Sequence, residues 1–150
     1  MSTRTAQPTN TTSSADSPSA LLFTRVLHSF SVDEIAKAEQ FYRTVLGLPA
    51  RAEFERLWIG LDGSTVMVYP KPDHIPASYT VLNFVVEDIV AAVEALAARG
   101  VRFLRYDEFG SDGRGIVRSD GRALAWFTDP AGNIHSVAEL QGPIPDPREG

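Results

Sequence analysis

The sequence predicts an α+β domain made of two tandem β-α-β-β-β units, on three observations. Val32-Asp33-Glu34-Ile35-Ala36 returns as Val86-Glu87-Asp88-Ile89-Val90, an offset of 54 residues (86 − 32). Each copy follows an alternating apolar stretch, Val26 to Val32 and Val81 to Val86. Each leads into a helical pattern closed by a glycine, Gly47 or Gly100. Self-similarity at this spacing marks a duplicated supersecondary unit that does not bury its apolar face alone. Two such units must pack together, and a cleft between or beneath them is the natural place for a ligand.

Unit one spans 24–70. Its first strand is expected over 24–32, with His28, Phe30 and Val32 on one face and Leu27, Ser29 and Ser31 on the other, because strand side chains alternate. Ser31 and Glu34 have the spacing of a capping box, with Asp33 an alternative cap. Ile35, Ala38, Phe41, Tyr42, Val45 and Leu46 then form an apolar stripe at helical spacing, and Gly47 takes the position glycine favours after a helix. Strands are expected over 50–55, 57–61 and 65–69, the last two joined by Asp62-Gly63, a tight-hairpin dipeptide. Residues 70–79 hold three prolines (Pro70, Pro72, Pro76) and read as a linker. Unit two, 80–140, repeats the order: strand 80–86, helix 88–99, strand 101–106, a glycine-rich loop into Ile116-Val117-Arg118, strand 123–128, the turn Asp129-Pro130-Ala131-Gly132, and strand 133–140.

The chain has 150 residues, 43% of them hydrophobic, and a formal net charge of −5 without charge blocks. That suits one domain with a proper core and lacks the clustered basic footprint of a nucleic-acid binder. With no cysteine there is no disulfide framework, thiolate nucleophile or Cys-ligated zinc, which fits a cytoplasmic location. Residues 1–21 are rich in Ser, Thr and Pro and read as a disordered tail without a secretory signal. Residues 142–150 read as a second loose tail, leaving 22–141 as the folded part. No stretch approaches the ~20 apolar residues needed to span a bilayer, so no membrane partner is expected.

Three segments carry a family resemblance: Val32-Asp33-Glu34-Ile35 with Phe41-Tyr42-Arg43 and Leu46-Gly47-Leu48; Glu87-Asp88-Ile89; and Ala125-Trp126-Phe127-Thr128-Asp129-Pro130-Ala131-Gly132-Asn133. Together they resemble the vicinal oxygen chelate superfamily, the glyoxalase/bleomycin-resistance/extradiol-dioxygenase group, whose F-x-D-P-x-G-N signature the third segment matches. The resemblance implies a cup-shaped half-open barrel with helices outside and one pocket inside. It also implies, for enzymes of the family, a divalent metal held by four inner-face positions. Carried over residue by residue, those positions fall on Leu27, Met67, Val81 and Ser136, which are not competent ligands for a hard or borderline metal.

His28 and His135 stand one place from two of these positions, and in a strand one place means the opposite face. Both are therefore expected against the outer, helix-covered face. A divalent metal enters only if β-bulges turn them into the cup, so no cofactor is expected. His74 reads as a solvated loop residue. The inner face should carry Ser29, Ser31, Asn83 and Ser136 between apolar Leu27, Val81 and Val85, a mixture that suits a small-molecule pocket. Tyr69, Trp58 and Trp126 offer flat surfaces for an aromatic ligand, although the two tryptophans equally suit core positions. The 109–115 loop has too much glycine to be fixed by its own sequence; it reads as a hairpin tip or as a lid bringing Arg114 or Arg118 to an anionic group. Asp107, Glu108, Glu53, Glu55 and Glu139 supply carboxylates, but no two are convincingly paired and no nucleophile–base–orienter set is visible.

The expectation is a glyoxalase-fold protein that binds a small organic molecule in its cup without a catalytic metal. This is similar to the antibiotic-binding resistance branch, whose members are commonly dimers. The ligand-binding residues would be Ser29, Ser31, Tyr69, Asn83, Trp126, Ser136 and Arg118, and the partners a small molecule and a second copy in a homodimer. The alternatives are a metal-dependent or acid–base lyase, isomerase or dioxygenase of the same superfamily, and a dimerisation or interaction module.

Overall fold

The computed structural model describes residues 22–149; the expected tail at 1–21 lies outside them. The described chain forms two four-stranded sheets of the same plan. The first runs β1-β4-β3-β2 and the second β5-β8-β7-β6. β1 (His28–Val32), β2 (Ala50–Glu53), β3 (Arg56–Leu61) and β4 (Ser64–Pro70) belong to unit one; β5 (Thr80–Val85), β6 (Val117–Ser119), β7 (Arg122–Thr128) and β8 (Ile134–Glu139) belong to unit two. In each sheet the first strand pairs in parallel with the last and the remaining neighbours are antiparallel. The helix after the first strand makes that parallel return. The sheets are open, as a half-open cup requires.

Hairpin chemistry sets the register of unit one. Asp62 and Gly63 have φ of 49° and 83° and join β3 to β4, with Leu61 opposite Ser64. Both positive angles are what a two-residue type I′ connection needs. The β2–β3 turn has the same need but no glycine: Phe54 and Glu55 sit at φ 57° and 58°. The sequence therefore suggested a strand to 55, whereas β2 ends at Glu53. β1 is also shorter than expected, because 24–27 take no strand partner.

The first helix departs from expectation in two ways. α1 (Ile35–Glu39) begins without a side-chain cap: Ser31 is engaged with His74 and Asp33 accepts from the Glu34 N–H, so the capping box does not form. The helix then widens into a π turn over Gln40–Val45, in which the Leu46 N–H reaches back five residues to the Phe41 carbonyl at 2.9 Å. One extra residue explains it. Ile35 and Ile89 match at an offset of 54 but Gly47 and Gly100 at 53, so the first helix must absorb a residue that α2 (Ile89–Ala98) lacks, as π-bulges do. α2 is regular, and Asp88 caps it by accepting from the Ala91 N–H at 3.1 Å.

The strand expected over 101–106 is reduced to a single bridge, Phe103 opposite Phe127. The loop after it is not loose. Asp112 accepts from the N–H groups of Arg114 and Ile116. Gly115, at φ 87°, packs so tightly that a Cβ there would lie 2.9 Å from the Leu104 carbonyl. A side-chain acceptor thus fixes what the glycines leave free. The core is one cluster shared by both units, including Phe30, Val32, Phe41, Tyr42, Leu57, Val68, Ile89, Phe127 and Val137.

Candidate functional site

The concave face is read from the register. In the first sheet Ser29 lies opposite Met67, and Met67 opposite Trp58; Ser31 lies beside Tyr69. In the second, Asn83 lies opposite Ser136 and Ser136 opposite Trp126. Directly opposed residues share a face, so each sheet carries a matching row: a small or amide side chain on the first strand, Met67 or Ser136 in the middle, and an indole on the third. Ser29 and Asn83 are exposed, whereas Ser136, expected to touch a ligand, is fully buried and acts only by holding Asn83. The Ser136 hydroxyl donates to Asn83 Oδ1 at 2.7 Å, which holds the amide and leaves its N–H₂ for a ligand acceptor. Trp126 donates to the Thr80 hydroxyl and stands edge-on to Tyr106, and Trp58 donates to the Glu53 carbonyl. Both indoles are fixed but half-buried.

Other expected site residues are placed elsewhere. Arg118 lies opposite Ala123, a buried core residue, so the register puts it on the helix side of the sheet, away from Trp126. Arg114 pairs with Glu94 of α2 at 2.5 Å and is already neutralised. The Ser31 hydroxyl is bonded to His74 Nδ1 at 2.7 Å. His74 is not a solvated loop residue: its Nε2 lies 3.1 Å from the Ala131 carbonyl, so it ties the linker to both units. Glu139 accepts from the Ile89 N–H at 2.9 Å, capping the start of α2.

The four inherited metal positions do not form a chelating set. Leu27 precedes β1, and Met67 and Ser136 lie on the concave face without a histidine or carboxylate among their strand-paired neighbours. β5 does contain a bulge, between Thr80 and Leu82, but it shifts Val81, which packs against the core rather than lining the cup. No register shift occurs in β1 against β4 or in β8 against β7, so neither histidine is turned inward. His28 shares the face of Phe30, and His135 is fully buried on that side. These residues do not fit the family's metal.

His135 instead belongs to a polar cluster in the seam between units, which the sequence reading missed. The Tyr42 hydroxyl lies 2.5 Å from Asp129 Oδ2 and 2.6 Å from His135 Nε2. Asp129 also accepts from the Asn133 side chain and from the N–H groups of Ala131 and Asn133. Asn133 Nδ2 reaches across to the Ser31 carbonyl at 2.9 Å. Burial pushes the Asp129 carboxyl up, but His135, 3.8 Å away, and the hydrogen bonds from Tyr42 and Asn133 outweigh it and hold the group below its ordinary value. Burial first, then the Asp129 charge, raises the Tyr42 hydroxyl far above the usual tyrosine range. The consistent assignment has Tyr42 donating to ionised Asp129 and accepting from His135 Nε2–H. His135 Nδ1 is then left buried without a partner. Tyr42, Asp129 and His135 are all buried and bonded across the two units, so the cluster acts as a clamp between units. The only cue in the sequence is the spacing of Asp129, Asn133 and His135 after the turn.

A profile of the Glyoxalase/Bleomycin resistance protein/Dioxygenase superfamily matches residues 25–135. The chain belongs to that superfamily. Solved structures share its fold at low identity. A superfamily member from Sphaerobacter thermophilus DSM 20745 is 22% identical with a TM-score of 0.60, over 78% of this chain and 98% of that one. A glyoxalase/bleomycin resistance protein/dioxygenase from Alicyclobacillus acidocaldarius is 16% identical with a TM-score of 0.60, over 78% and 91%. A protein designated UcmS2 is 19% identical with a TM-score of 0.62, over 79% and 100%. No protein of curated function matches the chain significantly. Superfamily membership thus accounts for the twin sheets and the Asp129–Gly132 turn, while activity has to be argued from this chain's own side chains. Among the described residues no helix is long and apolar enough to cross a membrane.

Proposed function

We propose that this superfamily member binds a small organic molecule on its concave faces, without a metal at the four inherited positions, and works as a homodimer. The observation that carries the reading is the pair of matching rows, Ser29–Met67–Trp58 and Asn83–Ser136–Trp126. Apolar walls with a few convergent hydrogen-bonding groups suit recognition of a small ligand. The indole edges favour a flat, conjugated body, and the Asn83 amide, held at its oxygen by Ser136, favours a carbonyl or other acceptor on it. This is the sequestering mode that the resemblance to the antibiotic-binding branch implies.

Fluorescence quenching of Trp58 and Trp126 by a panel of aromatic carbonyl compounds tests it. Saturable binding that survives EDTA and falls at least tenfold in Asn83→Leu is expected. Stoichiometric divalent metal in tag-free protein, with binding lost on its removal and in His28→Ala, would overturn the proposal.

A further inference from the structure

The seam between the units has a second contact region, and there the surface opens into an apolar groove. A cavity of about 290 Å³ lies where Leu46, Leu48 and Leu61 of unit one meet Phe84, Ala92 and Ala95 of unit two. It sits on the helix side of the second sheet, since Phe84, Phe127 and Val137 of its lining pack in the core under α2. Val85, on the other face of β5, borders it as well, but none of Ser29, Met67, Trp58, Asn83, Ser136 and Trp126 lines it, which separates it from the two rows.

The repeat explains why it is empty of side chains. In the first helix the stretch after Ala38 supplies Phe41 and Tyr42, which plug the contact with Phe127 and His135. The corresponding stretch of α2 supplies Glu94, Ala95 and Leu96, so two aromatic plugs are replaced by an alanine and a leucine, and the π turn that thrusts the aromatics inward has no counterpart. Arg99 is the only charged residue of the lining. One of its nitrogens donates to the Val45 carbonyl at 3.1 Å, and no carboxylate among the described residues pairs with it within 4.0 Å.

We infer that this cavity is a binding site for a small amphipathic anion: an apolar body of roughly ten water volumes, at about 30 Å³ each, carrying one carboxylate for Arg99. An apolar wall excludes a wholly polar ligand, and the unpaired guanidinium selects an anionic end because its fork matches a carboxylate. The site goes beyond the concave-face proposal and stands or falls without it.

Calorimetric titration with sodium decanoate below its micelle concentration is the test. The wild-type chain should bind one decanoate. Ala95→Phe, or the milder Ala95→Leu, should weaken binding at least tenfold with unchanged far-UV dichroism. Arg99→Gln should weaken decanoate about tenfold while leaving decan-1-ol binding intact. Absence of saturable binding, an unchanged affinity in both Ala95 variants, or loss of binding in Asn83→Leu instead would each overturn the inference. So would conversion of a dimer to a monomer by Ala95→Phe in sedimentation, which would make the groove a contact between copies.

Discussion

At Tyr42, one hydroxyl oxygen holds two units together, and its chemistry has measurable consequences. Tyr42→Phe leaves Asp129 with one donor fewer and His135 Nε2 without its neighbour. Leaving buried polar groups unpaired should cost about 1–3 kcal/mol, read from urea unfolding. The same substitution should change the alkaline limb. Tyr42 keeps its proton in the fold while the unfolded chain ionises above about pH 10. Wild-type stability should therefore fall there by about 1.4 kcal/mol per pH unit, and Tyr42→Phe should remove that one-proton slope. Asp129 works in the opposite direction. Its folded value is depressed, so its contribution is present above the unfolded value near 3.9 and is lost as pH falls through the lower folded value. Asp129→Asn should flatten that acid limb in a dichroism titration; an unchanged limb would contradict the ionised assignment.

The elements show where local chemistry was readable and where it was not. Asp62-Gly63 announced its turn because both residues tolerate positive φ, whereas Phe54-Glu55 adopts the same conformation with residues that disfavour it, and no composition rule finds it. That strain makes a prediction: Phe54→Asn with Glu55→Gly should raise stability by about 1 kcal/mol, seen as a higher melting temperature, and a lower one would refute the turn geometry. Parity, by contrast, was sound. It put His28 and His135 on the face of the helices and Ser29, Asn83 and Ser136 on the other, because uninterrupted pairing in β1 and β8 leaves alternation intact. It failed at Val81, where the β5 bulge intervenes. Arg118 was offered as cargo of a lid, and that loop is instead fixed by an acceptor, Asp112, that looked like any other loop residue. The clamp was invisible for another reason: Tyr42 and His135 are 93 residues apart, and only folding brings them together.

For the whole molecule, the exposed apolar surface is the feature to test. Leu22 and Val26 are each 92% exposed and Phe23 is 76% exposed, all just before β1. Apolar side chains exposed in one segment in this way suit a contact between copies. Wild-type chain should sediment as a dimer, and Leu22→Ser with Val26→Ser should shift it toward monomer; a monomeric wild type would remove the basis for the homodimer. The Asn133 bond has a different consequence at this scale. The Val32 carbonyl accepts from Lys71 on the β4 side, so the adjacent Ser31 carbonyl points outward, and Asn133 occupies it. A ribbon whose outward acceptor is already taken is a poor template for a foreign strand. Asn133→Ala should therefore reopen that margin to amyloid-like growth, even where the native packing survives.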